Sequence, residues 1–247
     1  MTRSKKGTAA RARCLAGLLA SVSLAAAGAV CAAQPSRPDF TGVWEVAPSF
    51  GGGARGGPPQ APEYNAEYKA RHAAIQERIK SGKLDIGALC TPPGVPSVIG
   101  MIGLFEILDA PNGLRILYEY ESQIRRIYTD GRGHPPEPDP TLNGDSVGRY
   151  EGQELVIDTV ALKDSTFIEN SGLPHSDAMH VVERMRMRGA DTLEIAVTVE
   201  DPKALTKPYT KTFTANRVPN GVLLDYECNE NQRYRINPDG SVSLTMQ

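Results

Sequence analysis

The second half of the chain alternates apolar and polar residues, and a period of two is typical of β-strands. The clearest run is 192–200, in which Leu193, Ile195, Val197 and Val199 alternate with polar or small residues. Short runs of this kind follow one another, separated by turn signals such as Pro-Asn-Gly, with no helical period between them. This pattern predicts a mainly β fold, an antiparallel barrel or sandwich. The predicted strands are 105–109, 115–129, 148–151, 154–162, 180–188, 192–200, 209–218, 223–228 and 233–237.

One segment has a helical period instead. Between residues 63 and 83 the larger side chains recur at steps of three and four, which predicts one α-helix packed on or capping the barrel. These side chains are Tyr64, Tyr68, His72, Ile75 and Ile79. The stretch before it, 49–62, is rich in Gly and Pro and has no phosphate-loop ending, so it is predicted to be a flexible connection.

The segment Ile116–Thr129 places unusual residues where a strand carries its core. If it is one strand, its even positions share a face, and that face carries Tyr118, Tyr120, Arg126 and Tyr128. A buried arginine is costly unless it is paired, so this face predicts a pocket with polar chemistry in the barrel interior.

A second strand supplies a partner for this arginine. In 180–188 the methionine face is predicted to point inward, because the arginines of the other face favour water, and Glu183 lies on the methionine face. Two readings of Arg126 and Glu183 are open. They form a buried ion pair that fixes strand register, or Arg126 holds a substrate carboxylate or phenolate while Glu183 orients it.

The first 33 residues are predicted to be a secretory signal peptide, leaving 34–247 as a single barrel domain. A basic start precedes an apolar run, 15–30, and Cys31-Ala32-Ala33 supplies the small residues of a cleavage site. Lipidation of Cys31 is the alternative. No other stretch approaches a membrane span, so the mature protein is expected to be soluble and periplasmic or secreted.

The charge and the cysteine content indicate which partners are disfavoured and whether a disulfide forms. Without the signal, which carries five basic residues, 22 Lys and Arg face 29 Asp and Glu, a net charge of −7. This acidic balance argues against nucleic acid and anionic membranes as partners. Cys90 and Cys228 are the two cysteines outside the signal, and in an exported protein they predict a disulfide. A catalytic thiol is the less favoured alternative.

Histidines offer candidate acids and bases. His175 and His180 flank a short loop that enters the strand carrying Glu183, where a barrel mouth is expected. Their spacing also allows a metal site with His134 or an acid as third ligand, but on a loop it is not diagnostic, and no metal is predicted. No nucleophile elbow, Cys/His signature or dinucleotide fingerprint occurs, so no cofactor is predicted.

Several motifs together resemble a large family of exported bacterial proteins with a lipocalin-like barrel. They are DFTGVW at 39–44, CTPPGVP at 90–96, YEY at 118–120, RRIYTDGR at 125–132, SVGRYEG at 146–152, PHSDAMHVVER at 174–184, VEDPKALTKPYT at 199–210 and YECNEN at 226–231. The resemblance implies an antiparallel lipocalin-like barrel. Some similar sphingomonad proteins act on lignin-derived phenolic dimers as cofactor-free decarboxylases or related lyases, so the resemblance also implies that chemistry.

The sequence-based hypothesis is therefore a cofactor-independent lyase, most simply a decarboxylase, acting on a phenolic aromatic molecule through a quinone-methide-type intermediate. Arg126 would hold the carboxylate with Glu183 behind it, and Tyr128, assisted by His175 or His180, would take the phenolic proton. Tyr118 and Tyr120 would line the substrate site. The alternative is a periplasmic carrier that binds a hydrophobic or aromatic ligand without turnover. The substrate, formaldehyde release in place of decarboxylation, and the oligomeric state stay open.

Overall fold

The computed structural model describes residues 37–47, 61–228, 234–237 and 242–244. The predicted signal peptide and the Gly/Pro-rich connection up to residue 60 lie outside these ranges. Nine strands close into a barrel in chain order, and a separate antiparallel pair, β10 and β11, follows. The strands are β1 Gly42–Val46, β2 Leu104–Ala110, β3 Gly113–Tyr118, β4 Gln123–Tyr128, β5 Asp145–Glu151, β6 Glu154–Val160, β7 His180–Met187, β8 Thr192–Glu200, β9 Tyr209–Arg217, β10 Tyr234–Ile236 and β11 Val242–Leu244.

The predicted fold class is confirmed in its main features: a mainly β closed barrel with one packed α-helix. Neighbouring barrel strands pair antiparallel, with one departure. Strands β4 and β5 run parallel, and a single residue pair, Tyr128 with Val147, joins them. By contrast, β5 and β6 are in register from Asp145–Val160 to Glu151–Glu154. The wall of the barrel is therefore weakest between β4 and β5.

Apolar side chains from alternate positions of the strands fill the barrel interior. Trp44, Ile107, Leu155 and Leu193 are each fully buried. Burial of one such side chain contributes about 1.5–3 kcal/mol before entropy is counted. The alternation predicted for 192–200 and the inward methionine face of β7 are both confirmed, since Met185 and Glu183 are each 1% exposed.

The prediction of one strand over 115–129 is wrong. The segment is a hairpin, with a turn over 119–122 in which Glu121 and Ser122 have positive φ, 56° and 45°. Tyr118 pairs with Gln123, and Ile116 pairs with Arg125. Directly paired residues share a face, so even positions point inward in β3 and odd positions point inward in β4.

The C-terminal strand predictions are partly wrong. Residues 223–228 form no strand, and Tyr226 makes only an isolated bridge to Tyr120. Tyr234–Ile236 is a strand inside the predicted 233–237, whereas Val242–Leu244 was not predicted. The 223–228 stretch was misassigned because apolar residues at its surface imitate a strand, and Val222 and Leu224 are 72% and 68% exposed.

The helix is shorter than predicted. Helix α1 spans Ala66–Lys80 and begins after Asn65, whose side chain accepts a hydrogen bond from the Tyr68 amide. Tyr68 is its buried residue, and Gln76 Nε2 donates to the carbonyl of Ser171. These contacts pack α1 against the loop before β7.

The predicted disulfide is confirmed. Cys90 is bonded to Cys228 across a sequence separation of 138 residues. Among the described residues, no helix has the length and hydropathy needed to cross a membrane.

Candidate functional site

A groove lies on the outer surface where β4 and β5 separate. Because only one residue pair joins these strands, the surface opens beside them into a volume of about 470 Å³. We call it the β4–β5 groove. Its lining residues are Ile124, Arg126, Tyr128, Thr141, Leu142, Asn143, Gly144, Asp145, Ser146 and Lys163.

The outward face of β4 forms one wall of the groove. Ile124, Arg126 and Tyr128 follow one another on this face, and Ile124 is 51% exposed. The ring of Tyr128 lies under two guanidinium groups, with Arg132 4.0 Å and Arg115 5.6 Å from its centroid. This wall thus combines apolar, aromatic and cationic groups.

Lys163 and the 141–144 segment form the opposite end. Thr141 and Lys163 are held together by a hydrogen bond from the Lys163 amide to the Thr141 carbonyl, 3.0 Å. Within the described residues, neither Arg126 nor Lys163 makes a side-chain hydrogen bond or ion pair. Asn143 Oδ1 is buried and accepts no hydrogen bond there. The groove therefore offers two cations that no described protein group pairs, and Asn143, which lines it, has a buried acceptor without a partner.

The prediction that Arg126 points into the barrel is wrong, and Arg125 occupies that place. Arg125 is 1% exposed, and its Nη2 lies 2.5 Å from Glu183 Oε1. Its guanidinium also donates to Thr159 Oγ1 at 2.9 Å and to Ser146 Oγ at 3.2 Å. The cause is the turn at 119–122, which reverses the parity of inward positions.

This buried pair joins strands where the backbone ladder is thin. Arg125 starts on β4 and reaches β5, β6 and β7 through Ser146, Thr159 and Glu183. Burial acts to lower the pKa of Arg125, but the charge and hydrogen bonds of Glu183 outweigh it and raise that pKa. Glu183 is inside as predicted, but its ion-pair partner is Arg125, so both readings that joined Glu183 to Arg126 are wrong about the arginine.

Tyr118 and Tyr120 do not share a pocket with Arg126. Tyr118 is 8% exposed in the core, and burial raises the pKa of its phenol to about 12. Tyr120 stacks on Tyr226, with 5.2 Å between ring centroids, and borders a small pocket of about 50 Å³ at one end of the barrel. That volume is below what an aromatic dimer needs.

His175 lies in the loop before β7, as predicted, but it is buried. Its Nδ1 faces the carbonyl of Ser176 at 2.8 Å, and its Nε2 lies 2.9 Å from Thr166 Oγ1. Burial lowers the pKa of His175. Since a carbonyl can only accept, Nδ1 carries a proton. The single proton of the Thr166 hydroxyl is shared between two acceptors, His175 Nε2 and the Lys163 carbonyl at 3.0 Å.

His134 and His180 lie on the outer surface in a row with three carboxylates. His134 contacts Asp145 at 2.5 Å and Asp158 at 3.1 Å, and His180 contacts Asp158 at 2.9 Å and Glu200 at 3.3 Å. We call these five residues the histidine row. Because Asp145 also lines the β4–β5 groove, the row and the groove adjoin.

The proposed catalytic set is therefore dispersed. Arg126 and Tyr128 share the groove, Glu183 is in the core, His175 is in the buried loop, and His180 is in the row. Sequence reasoning missed Arg125, Lys163, Asn143 and Asp158. A turn inside 116–129 would have pointed to Arg125, but the segment lacks Gly, Pro and Asn.

Comparison with known proteins adds little to the fold. No family model matches the chain, and no curated protein matches it. Among solved structures, a mutant of the fluorescent protein UnaG is similar with a TM-score of 0.33 and 10% sequence identity, covering 73% of this chain and 97% of the UnaG chain. A TM-score this low carries no argument, so the barrel assignment rests on the strand pairing.

Proposed function

We propose that the protein is a carrier of small aromatic carboxylates, and that the ligand lies in the β4–β5 groove. The observation that carries this proposal is the pair of unpaired cations, Arg126 and Lys163, on one concave surface. They would bracket the carboxylate of the ligand. Its hydroxyl group would donate to Asn143 Oδ1, which is buried without a partner, after rotation of the Asn143 side chain toward the groove.

The availability of these cations supports the choice of groove. Two arginines of β7 on the outer wall are neutralised: Arg184 pairs with Glu151 and Glu154, and Arg186 pairs with Glu194. In an acidic chain, two cations left without a carboxylate attract an external anion more than neutralised ones do.

Shape and apolar surface support an aromatic ligand. The volume of about 470 Å³ lies inside the range of roughly 300–1,000 Å³ that is typical of small-molecule sites. Ile124 and the Tyr128 ring supply apolar contact on the wall next to Arg126. An aromatic ring placed there removes apolar area from water on both partners.

Binding fits this site better than decarboxylation does. Decarboxylation is favoured when a carboxylate is moved into a dry site, whereas two cations in an open groove stabilise the ionised ground state. One observation still favours the lyase hypothesis: Arg126 and Tyr128, the proposed anion clamp and proton acceptor, share the groove. Glu183 would have no part in it.

The binding proposal is tested by calorimetric titration with 4-hydroxybenzoate and with its methyl ester. The acid should bind at one site, and the ester should bind more weakly because it lacks the charge. Arg126→Gln and Lys163→Gln should each weaken binding of the acid roughly five- to tenfold, the equivalent of about 1 kcal/mol for an exposed charge interaction.

Matched controls are Arg149→Gln and Lys207→Gln, two exposed cations that are paired with Glu151 and Glu63 outside the groove. Both should leave the affinity unchanged. Equal affinities of acid and ester, or equal losses in controls and groove variants, would refute the carrier proposal. Mass analysis of the same mixtures distinguishes the alternatives, since release of carbon dioxide would establish the lyase.

A further inference from the structure

The histidine row brings four ring nitrogens of two histidines against carboxylate oxygens. Both ring nitrogens of His134 and both of His180 face carboxylate oxygens, at 2.5, 3.1, 2.9 and 3.3 Å. Ionised carboxylates only accept, and a neutral imidazole has one N–H to donate. Two hydrogen atoms more than two neutral rings carry are therefore needed to satisfy all four contacts, and either protonation of both rings or a metal ion bound at two of the nitrogens supplies the positive charge.

Two of the four contacts converge on one oxygen atom. His134 Nε2 and His180 Nε2 both approach one atom, Asp158 Oδ1, at 3.1 and 2.9 Å. Their Nδ1 atoms point the other way, to Asp145 and Glu200. A histidine that binds a metal through one nitrogen commonly donates its other N–H to a carboxylate, which fixes the ring.

We propose that His134, Asp158 and His180 bind a divalent first-row transition metal through two Nε2 atoms and one carboxylate. Asp145 and Glu200 then act as positioning residues on the two Nδ1–H groups. Two imidazoles and a carboxylate are ligands that suit zinc and its neighbours better than calcium or magnesium.

Strand register holds these residues in place. Asp158 pairs with Val182 and His180 pairs with Glu200, so Asp158 and His180 are diagonal neighbours on one face of β6 and β7. Asp145 pairs with Val160, which puts it diagonal to Asp158 on the same face. Only His134 comes from a connection, the segment between β4 and β5.

The donors need to separate slightly to admit an ion. As they stand, no three His, Cys, Asp or Glu side chains of the described residues are arranged to hold a metal ion. Around an ion with bonds of about 2.0–2.1 Å, neighbouring donors lie roughly 3.0–3.4 Å apart. The present contacts of 2.9 and 3.1 Å between Asp158 Oδ1 and the two Nε2 atoms are close to that spacing, so the proposal requires rotation of the side chains rather than movement of the strands.

The site would be open to solvent. The side chains of His134, Asp158 and His180 are 22%, 32% and 31% exposed. Three protein ligands leave at least one coordination position for water or a ligand, the arrangement of open rather than closed zinc sites. This inference does not depend on anion binding in the groove, because none of the three ligands lines it.

The test uses tag-free, metal-stripped protein titrated with Zn²⁺ by calorimetry and with Co²⁺ by visible absorption. We expect one ion per chain, cobalt bands of a nitrogen- and oxygen-ligated site, and binding heats that depend on the buffer because protons are released. Asp158→Asn and His180→Gln should lower the affinity by at least about 100-fold, and Asp145→Asn by roughly 10- to 100-fold.

His72→Gln, a histidine of α1 outside the row, is the control and should bind as the unaltered protein does. Circular dichroism of each variant confirms that the barrel is folded. The proposal is overturned if Zn²⁺ does not bind at about 1 mM, or if Asp158→Asn and His180→Gln bind it unchanged. Binding heats that do not depend on the buffer would also contradict it, because they would show that Zn²⁺ releases no protons from the histidines.

Discussion

Arg125 and Arg126 are neighbours in sequence but occupy opposite surfaces of β4. Arg125 is 1% exposed and ion-paired with Glu183, whereas Arg126 faces the groove. A sequence with two adjacent arginines does not reveal which one is buried, because alternation gives only the relative orientation. The distinction matters for mutagenesis, since loss of the buried arginine leaves a buried charge and loss of the other does not.

Arg125→Met is predicted to destabilise the protein by about 3–5 kcal/mol, because Glu183 would remain buried without its counter-charge. Arg126→Met should change the free energy of unfolding by less than about 0.5 kcal/mol. The double variant Arg125→Met/Glu183→Leu should be more stable than Arg125→Met alone, since no unpaired charge remains. Urea denaturation followed by circular dichroism measures all three. A double variant that is no more stable than the single one would contradict this account.

His175 predicts a loss of stability in acid. Burial lowers the pKa of His175 in the folded chain below its unfolded value of about 6.5, so protonation favours the unfolded state. Its contribution is fully present above that unfolded pKa and is lost as the pH falls through the folded pKa. His175→Gln should therefore flatten the decline in the free energy of unfolding below about pH 6.5.

Chemical denaturation at a series of pH values measures this slope, which is independent of any overall loss in stability. His72→Gln is the comparison, because burial also lowers the pKa of His72 but that side chain is less enclosed. If the free energy of unfolding falls equally steeply with pH in His175→Gln and in the unaltered protein, the pKa of His175 does not change on unfolding and the prediction is wrong.

The 119–122 turn is the element that limited how much of the fold could be predicted from the sequence. Strands with unbroken alternation, such as β7 and β8, were predicted with the correct faces. The β3–β4 hairpin was not, because Glu121 and Ser122 adopt positive φ without Gly or Asn. Glu and Ser do not indicate a turn with positive φ in the way that Gly and Asn do. Tertiary contacts hold these residues in place, including the hydrogen bond that the Cys228 amide donates to Glu121 Oε1 at 3.1 Å.

Ser122→Gly is predicted to stabilise the hairpin by about 0.5–1 kcal/mol, because glycine adopts positive φ without the steric cost of a Cβ. Ser122 is exposed and its φ is 45°. Ser165→Gly is the matched control: Ser165 is exposed but does not have positive φ, so glycine there should be neutral or destabilising. Thermal unfolding of both variants checks this. Destabilisation by Ser122→Gly would mean that the serine side chain contributes more than the strain costs.

The site was less predictable than the fold because it depends on which strands separate. Alternation and turn signals predicted the barrel, the spacing of three and four residues predicted its helix, and the two cysteines of an exported chain predicted its disulfide. They could not predict that β4 and β5 would share a single residue pair, since that follows from the path of residues 129–144. Arg126 and Tyr128 were predicted to point into the barrel, but they lie on the outer wall. Lys163 and Asn143 come to them from distant segments.

At the scale of the whole molecule, the disulfide and the barrel are predicted to be separable. The barrel strands end at Arg217, before Cys228, and the groove uses no residue beyond Lys163. The bond joins the C-terminal segment to the loop at Cys90, and Tyr226 also reaches Tyr120 through a bridge and ring stacking. The covalent link thus secures this segment over one end of the barrel without contributing to the groove.

Cys90→Ala/Cys228→Ala should therefore lower the free energy of unfolding, by up to about 5 kcal/mol for a loop of this length in the chain-entropy model and by less if the unfolded chain keeps structure. The variant should keep the β-rich circular dichroism spectrum and the affinity for 4-hydroxybenzoate. Amide hydrogen exchange should speed up around Tyr226 and the 119–122 turn and stay slow in β7 and β8, which share an eight-residue ladder from His180–Glu200 to Met187–Leu193. Loss of anion binding in a variant that remains folded would show instead that the bond supports the groove.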